Sequence, residues 1–130
     1  MVLTPGITQP KNAIRIIRGT SKTYLLSVTD EEGERVDLNG ARIIFSVKRS
    51  LDDEHTLVQK DSQKGTAQVE ILTPTKAGQA NIYLVPSDTN TLDVRDYVFD
   101  VWVILSSGKR YAVIPPSVLE VEAGVTVITT

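Results

Sequence analysis

Residues 97–105, which read Tyr-Val-Phe-Asp-Val-Trp-Val-Ile-Leu, form the most hydrophobic segment of this 130-residue chain. The turn sequence Ser-Ser-Gly-Lys follows at 106–109, and a second β-prone run occupies residues 110–114. Two such runs joined by a short glycine-containing loop are typical of a β-hairpin. Because side chains alternate between the two faces of a strand, we predict that Tyr97 and Phe99 lie together on the inner face.

Short runs of alternating apolar and polar residues recur throughout the chain, and Val, Ile and Thr together make up roughly a third of it. Turn residues separate these runs at spacings of about 8–12 residues, which is typical of an antiparallel sandwich or barrel. The stretch 87–96 favours a single helical turn. The predicted strands cover residues 13–18, 23–29, 42–48, 55–60, 67–72, 80–84, 97–105, 110–114 and 119–123.

The position of Tyr97 favours one kind of sandwich. Leu92 precedes Tyr97 by five residues, and a tyrosine at the start of an apolar strand can hydrogen-bond back to the preceding crossover. This tyrosine-corner arrangement predicts an all-β, immunoglobulin-like antiparallel β-sandwich, with a small Greek-key barrel as the alternative. Further structural residues are expected at two bends, namely Gly33 in one and Leu38 and Gly40 in the other.

The same pattern divides the chain into three parts. We expect an N-terminal arm and edge strand at 1–20, the immunoglobulin-like sandwich at 21–123, and a C-terminal strand or arm at 124–130. Both ends consist of mostly uncharged, extended-type sequence, which can add a strand to a neighbouring subunit or simply fray.

Composition and charge exclude several classes of function. Fourteen Lys and Arg residues against sixteen Asp and Glu residues give a net charge of −2, without the basic cluster that nucleic-acid binding requires. The absence of cysteine excludes disulfides, thiolate metal sites and thiol nucleophiles. No apolar run approaches the ~20 residues that span a bilayer, and no apolar signal core is present near the N-terminus. We therefore expect no nucleic-acid or membrane partner.

Few residues in this chain suit catalysis. The single histidine, His55, follows Asp52, Asp53 and Glu54 in a polar loop, which could supply hard oxygen ligands to a divalent cation. A solvated acidic loop is the favoured interpretation, because the glycine-punctuated spacing of a calcium loop is missing. A G-x-S-x-G elbow and a glycine-rich phosphate loop are missing as well. The sequence predicts a protein that is not an enzyme and has no catalytic residue, bound metal or cofactor.

Two stretches are candidates for contacts with other proteins. Because side chains alternate along a strand, we expect Val98, Trp102 and Ile104 on the outer side of the central strand. There they form a docking face, or a loop or the N-terminal arm covers them. Asp100 shares this side, and it is either exposed or paired with a basic residue of a neighbouring strand such as Arg42, Lys48 or Arg110. The second stretch is the C-terminal segment with Val125, Val127 and Ile128, which we expect to pair with a neighbour.

A carbohydrate-binding module is the alternative function. Of the seven aromatic residues, Tyr24, Phe45, Tyr97 and Phe99 are expected to face inward. Tyr83, Trp102 and Tyr111 remain as surface platforms on which a host-surface sugar ring could stack.

Much of the chain, about residues 23–121, resembles a known family through its turn and core residues. The theme D-x-x-G-x-x-x-D-L-x-G-A spans residues 30–41. The other shared positions are Val28, Thr29, Ile43, Phe45, Val47, residues 85–89, Leu92, residues 97–103 and residues 107–110. These positions resemble the N-terminal module of phage baseplate upper proteins, and they are equally similar to small immunoglobulin-like phage virion proteins.

The resemblance implies a structural role in a phage virion, with other virion proteins as partners and with homo-oligomers or particle-bound copies expected. It carries over no catalytic residue. Arg95 and Asp96 stand where the family usually has a glycine before the tyrosine. Baseplate relatives continue into long C-terminal regions, so we expect this chain to be the module alone. Free-standing modules resemble capsid decoration, head–tail or tail accessory proteins.

Overall fold

A computed structural model describes residues 4–5 and 13–126 of the chain and shows nine strands and one short α-helix within them. Two 3-10 turns, Ser62–Lys64 and Thr75–Ala77, lie in the loops. The elements are β1 Thr4–Pro5, β2 Ile14–Ile17, β3 Lys22–Thr29, β4 Arg42–Lys48, β5 Thr56–Asp61, β6 Val69–Ile71, β7 Gln79–Leu84, α1 Pro86–Thr89, β8 Arg95–Ile104 and β9 Arg110–Glu122.

These strands form two sheets, which makes the fold an immunoglobulin-like β-sandwich. Sheet one has the order β1-β3-β7-β6, and sheet two has the order β2-β9-β8-β4-β5. These orders correspond to the ABED and GFCC′ sheets of immunoglobulin domains, with the first strand divided between the sheets. The predicted sandwich is confirmed, and the alternative of a closed barrel is not the architecture of the described residues.

The first strand departs from the prediction of a purely antiparallel sandwich. β2 runs parallel to β9, with Ile14 opposite Leu119 and Ile17 opposite Glu122. β1 pairs antiparallel with β3 of the same chain. Residues 1–20, which we expected to form an arm and an edge strand, thus contribute β1 to sheet one and β2 to an edge of sheet two.

The core lies between the sheets and follows the predicted alternation. On β4, Ile43, Phe45 and Val47 are buried, and on β8 Tyr97 and Phe99 are buried beside them. The rings of Phe45 and Phe99 pack with centroids 5.6 Å apart. Phe99 follows Tyr97 by two residues, the place where antibody domains carry their second disulfide cysteine. In this chain that position contributes aromatic packing instead of a covalent link.

Tyr97 forms a hydrogen bond that fixes the start of β8. Its side chain is buried, and its hydroxyl donates to the backbone carbonyl of Asp93 over 2.7 Å. This is the tyrosine-corner geometry, and burial raises the pKa of the Tyr97 phenol. The crossover that precedes it contains α1 and the half-buried Leu92, which packs against the core.

The long loop between β3 and β4 closes one end of the core. Gly33 and Gly40 have φ angles of 81° and 74°, as turn glycines do, and Leu38 is fully buried. Gly78, the residue before β7, packs against this loop. A Cβ atom at Gly78 would lie 2.8 Å from the backbone carbonyl oxygens of both Val28 and Val36, so only glycine fits there.

β9 contains a bulge between the two strands predicted at 110–114 and 119–123, which form one continuous strand. Ser117 pairs with Phe99 and Ile114 pairs with Val101, so two residues, Pro115 and Pro116, stand opposite Asp100 alone. Proline has no N–H to donate to a ladder, and a bulge is one of the few positions in which a sheet accepts it. The strand therefore continues through the prolines and changes register at them.

β5, the outermost strand of sheet two, carries a charge toward the interior. Lys60 is buried, and its Nζ lies 2.8 Å from Asp88 Oδ2 of α1. The same carboxylate oxygen accepts the backbone N–H of Val85 over 2.7 Å. This ion pair ties the edge of sheet two to the crossover between the sheets.

The corner hydrogen bond can be tested by Tyr97→Phe. We expect a loss of about 1 kcal/mol in the free energy of unfolding, because the partly buried hydrogen bond to the Asp93 carbonyl is lost. Tyr111→Phe is the matched control, since no hydrogen bond from its hydroxyl is found among the described residues. Urea unfolding should show a lower midpoint with an unchanged slope for Tyr97→Phe alone. Equal midpoints for the two variants would contradict the assignment.

Candidate docking surface

The outer side of sheet two carries a group of apolar side chains among charged and polar ones, and we call this group the apolar face. It is built by β4, β8 and β9, whose register brings its members side by side. Trp102 is 41% exposed and Val118 36% exposed, and the other members are half-buried. The apolar face consists of Ile44, Val98, Trp102, Ile104 and Val118.

Asp100 holds the indole of Trp102 against this face. The indole Nε1 of Trp102 donates to Asp100 Oδ2 over 3.0 Å. Asp100 is half-buried, and no basic side chain of the described residues pairs with it. Of the partners considered from the sequence, Arg42 pairs with Asp61 instead, because β5 brings that carboxylate beside it. The partner of Asp100 is therefore a neighbouring residue on its own strand.

A small cavity opens beside Asp100, at the level of the proline bulge in β9. Its volume is about 80 Å³. It is lined by Ser46, Lys48, Leu51, Val98, Phe99, Asp100 and Pro116. Leu51 is largely exposed at its rim, so the cavity extends the apolar face toward the loop after β4.

The outer side of sheet one is chemically different, and we call it the polar face. The Tyr83 hydroxyl donates to Glu70 Oε1 over 2.7 Å, and Asn81 Nδ2 donates to the same hydroxyl over 3.3 Å. The hydrogen bond to Glu70 raises the pKa of Tyr83. The polar face consists of Ser27, Glu70, Gln79, Asn81 and Tyr83, with the exposed Leu25 among them. The two outer sides of one sandwich thus differ in polarity.

Ion pairs border the apolar face. Asp61 is buried and accepts hydrogen bonds from the guanidinium of Arg42, which holds the pKa of Asp61 below its usual range. At the opposite border, Arg15 of β2 pairs with Glu120 of β9. An apolar centre within a charged border is the common anatomy of a protein–protein interface.

Three aromatic residues were expected to act as sugar platforms, and the structure separates them. Tyr83 lies on the polar face and Trp102 on the apolar face. Tyr111 is not a surface platform, because it stands opposite the buried Val103 and packs against the core. Tyr83 and Trp102 therefore lie on opposite outer sides of the sandwich and cannot contact the same sugar ring.

The remaining predicted residues lie at the ends and in a loop. Val125 is fully exposed beyond the end of β9, whereas Val127 and Ile128 fall outside the described residues. His55 is exposed, and its backbone N–H donates to Asp53 Oδ1 over 3.0 Å. Between residues 13 and 126, no three side chains of His, Asp or Glu are grouped as metal ligands would be. That part of the chain also lacks a helix with the length and apolarity to cross a membrane.

Sequence reasoning missed two members of the apolar face. Ile44 alternates with the buried Ile43, and Val118 alternates with the buried Leu119, so period two alone would have placed both outside. The signal was available for Ile44 in the strand at 42–48. For Val118 the signal lay in its alternation with Leu119 and Val121, one residue before the strand predicted at 119–123.

The described fold and surface define an immunoglobulin-like β-sandwich with one apolar outer face. No protein-family model matches the chain, and no curated protein matches it. Among solved structures, the chain is similar to murine CRIg, at 16% identity and a TM-score of 0.42 over 94% of this chain and 98% of that chain. It is also similar to the RIG-5 IG1 homodimer, at 11% identity and a TM-score of 0.46 over 96% and 100% of the two chains.

The buried carboxylate at the border predicts a pH dependence of stability. Because the folded-state pKa of Asp61 is lowered, its pairing with Arg42 stabilises the fold above the unfolded-state value of about 3.9. This stabilisation disappears as the pH falls through the folded-state value. At pH 7 we expect Asp61→Asn to cost about 2 kcal/mol, and we expect the difference from the parent protein to shrink below about pH 4.

Chemical unfolding at a series of pH values measures this difference. Asp93→Asn is the control, because the pair that Asp93 forms with Arg49 is exposed and 3.4 Å long. A constant difference between Asp61→Asn and the parent down to pH 2 would show that the carboxylate pairing is not the cause.

Proposed function

We propose that this chain is a non-enzymatic structural protein of a bacteriophage particle that docks through its apolar face. The observation that supports docking is the exposure of Trp102 within an apolar surface, on a sandwich whose other outer side is polar. A solvated sheet face normally alternates to polar residues, so an apolar one of this kind marks a contact surface.

The resemblance to phage modules supports a location in a phage particle. The turn residues Asp30, Gly33, Asp37, Leu38 and Gly40 carry that resemblance. Other virion proteins are the proposed partners, and the virion is the proposed location. Capsid decoration, a head–tail joint and a tail or baseplate accessory are the roles for which a rigid sandwich without a reactive site is suited.

The C-terminal segment is the second element of the proposal. Val125 is fully exposed just beyond β9, and the residues after it are rich in β-branched side chains. A segment of this composition gains main-chain hydrogen bonds when it adds a strand to a neighbouring sheet. We propose that the stretch from Val125 to Ile128 pairs with an adjacent virion protein once the apolar face has docked.

Trp102→Glu tests the docking face. Replacing an exposed apolar anchor by a carboxylate should lower the particle-bound fraction at least about tenfold, because the charge would be desolvated in the contact. Leu25→Glu is the matched control, since Leu25 is 45% exposed on the polar face. The measurement is gradient sedimentation of phage particles assembled in cells that express the tagged chain or a variant.

Two outcomes would contradict the proposal. If the parent chain is absent from every particle fraction, the phage setting is wrong. If Trp102→Glu is incorporated as well as Leu25→Glu, the apolar face is not the docking surface.

A host-surface glycan is the second candidate, and the polar face favours it. Tyr83 has its hydroxyl held by Glu70 and Asn81, so an aromatic ring lies beside groups that bond sugar hydroxyls. On a glycan array, Tyr83→Ala should lose binding by at least about tenfold, whereas Tyr83→Phe, which keeps the ring, should retain most of it. Parent protein that binds no glycan, or equal losses in the two variants, would rule out stacking on Tyr83.

A further inference from the structure

Two opposite charges lie on the apolar face without pairing to each other. In the ladder between β4 and β8, Lys48 is opposite Val98 and Asp100 is opposite Ser46, so the charged residues are diagonal neighbours. Both line the cavity beside the proline bulge. Among the described residues no ion pair within 4 Å includes either of them. A cation and an anion, neither of which is in an ion pair, therefore share one small region beside the apolar side chains.

These two charges restrict the partner that can cover the face. A partner that is only acidic opposite them would be repelled by Asp100, and one that is only basic would be repelled by Lys48. A matching surface must carry one charge of each sign at the same separation. The apolar face of a second copy carries such a pair.

Two-fold symmetry brings the charges into register. In a face-to-face contact of two copies, a two-fold axis can lie in the contact plane and pass between Lys48 and Asp100. Lys48 of each copy then faces Asp100 of the other copy. Trp102 lies two residues beyond Asp100 on β8, so the same contact covers the Trp102 of each copy on the side of Asp100 away from the axis. Each ion pair would be enclosed by apolar side chains, where water screens it less than at an exposed site.

We infer that the apolar face binds a second copy of this chain, with Lys48 and Asp100 forming two symmetric ion pairs across the contact. This inference rests on the proposed docking role of the apolar face and names the partner at that face. The pair in one copy matches the pair in the other, and the contact is closed because each copy uses the same surface.

Charge reversal tests the inference by sedimentation velocity over about 1–100 µM protein. K48E and D100K should each raise the dimer dissociation constant by about a hundredfold or more, because each creates two like-charge contacts. The double variant K48E/D100K should dimerise again. A mixture of the two single variants should form a heterodimer, which native mass spectrometry resolves by mass.

These variants separate the effect of charge on dimerisation from the effect of packing around Trp102. D100K also removes the acceptor of the Trp102 indole, so a defect caused by a displaced ring would persist in the double variant. K109E, in the exposed turn between β8 and β9, is the control for a change in net charge and should leave dimerisation unchanged. Thermal melting of each variant checks that the sandwich is intact.

Several results would overturn the inference. A parent chain that stays monomeric at 100 µM, single variants that still dimerise, or a double variant and a mixture that both stay monomeric would each do so. If the parent chain is monomeric while Trp102→Glu still reduces incorporation into particles, docking to another virion protein stands and the second copy is wrong. If the dimer forms as described and Trp102→Glu is still incorporated normally, the proposed docking to the particle is wrong instead.

Discussion

The hydrogen bond from the Tyr97 hydroxyl to the Asp93 carbonyl sets the orientation of the strand on which the rest of the molecule depends. Tyr97 points inward, and side chains alternate between the two faces of a strand. Phe99, Val101 and Val103 therefore also point into the core. Val98, Asp100, Trp102 and Ile104 then face outward. A shift of one residue would exchange the two sets, so the corner decides both which residues form the core and which form the apolar face.

β8 is consequently apolar on both sides, a pattern more common for strands covered on both faces than for a strand of an exposed sheet. The neighbouring strands β4 and β9 differ in what they place beside the outer side chains of β8. β4 contributes Ile44 to the outer side, whereas β9 interrupts its pairing at Pro115 and Pro116 and leaves a cavity beside Asp100. The outer side thus combines an aromatic anchor, a pocket and two charges, while sheet one keeps an ordinary hydrogen-bonded polar surface.

The local sequence was sufficient to predict the strands and the core, because alternating apolar residues and turn residues can be recognised within a short segment. The inward set on β4 and the corner at Tyr97 follow from them. Contacts between segments that are distant in the sequence could not be predicted in this way. In the sequence, Gly78 cannot be told from an ordinary loop glycine, because its close neighbours Val28 and Val36 are distant along the chain. The parallel pairing of Ile14 with Leu119 likewise joins two segments that are far apart in the sequence. For the candidate surface, alternation identified Trp102, but the polarity contrast with the Tyr83 side required both sheets.

The burial of Lys60 affects how copies of this chain behave at high concentration. β5 is the last strand of sheet two, and such strands can template the addition of another chain, which leads to fibrils. A charged residue that points inward on an edge strand is one of the features by which natural sheets prevent this growth. The ammonium of Lys60 forms an ion pair with Asp88. An inward charge of this kind disfavours the addition of another chain at β5, although the other strands of sheet two carry an apolar face.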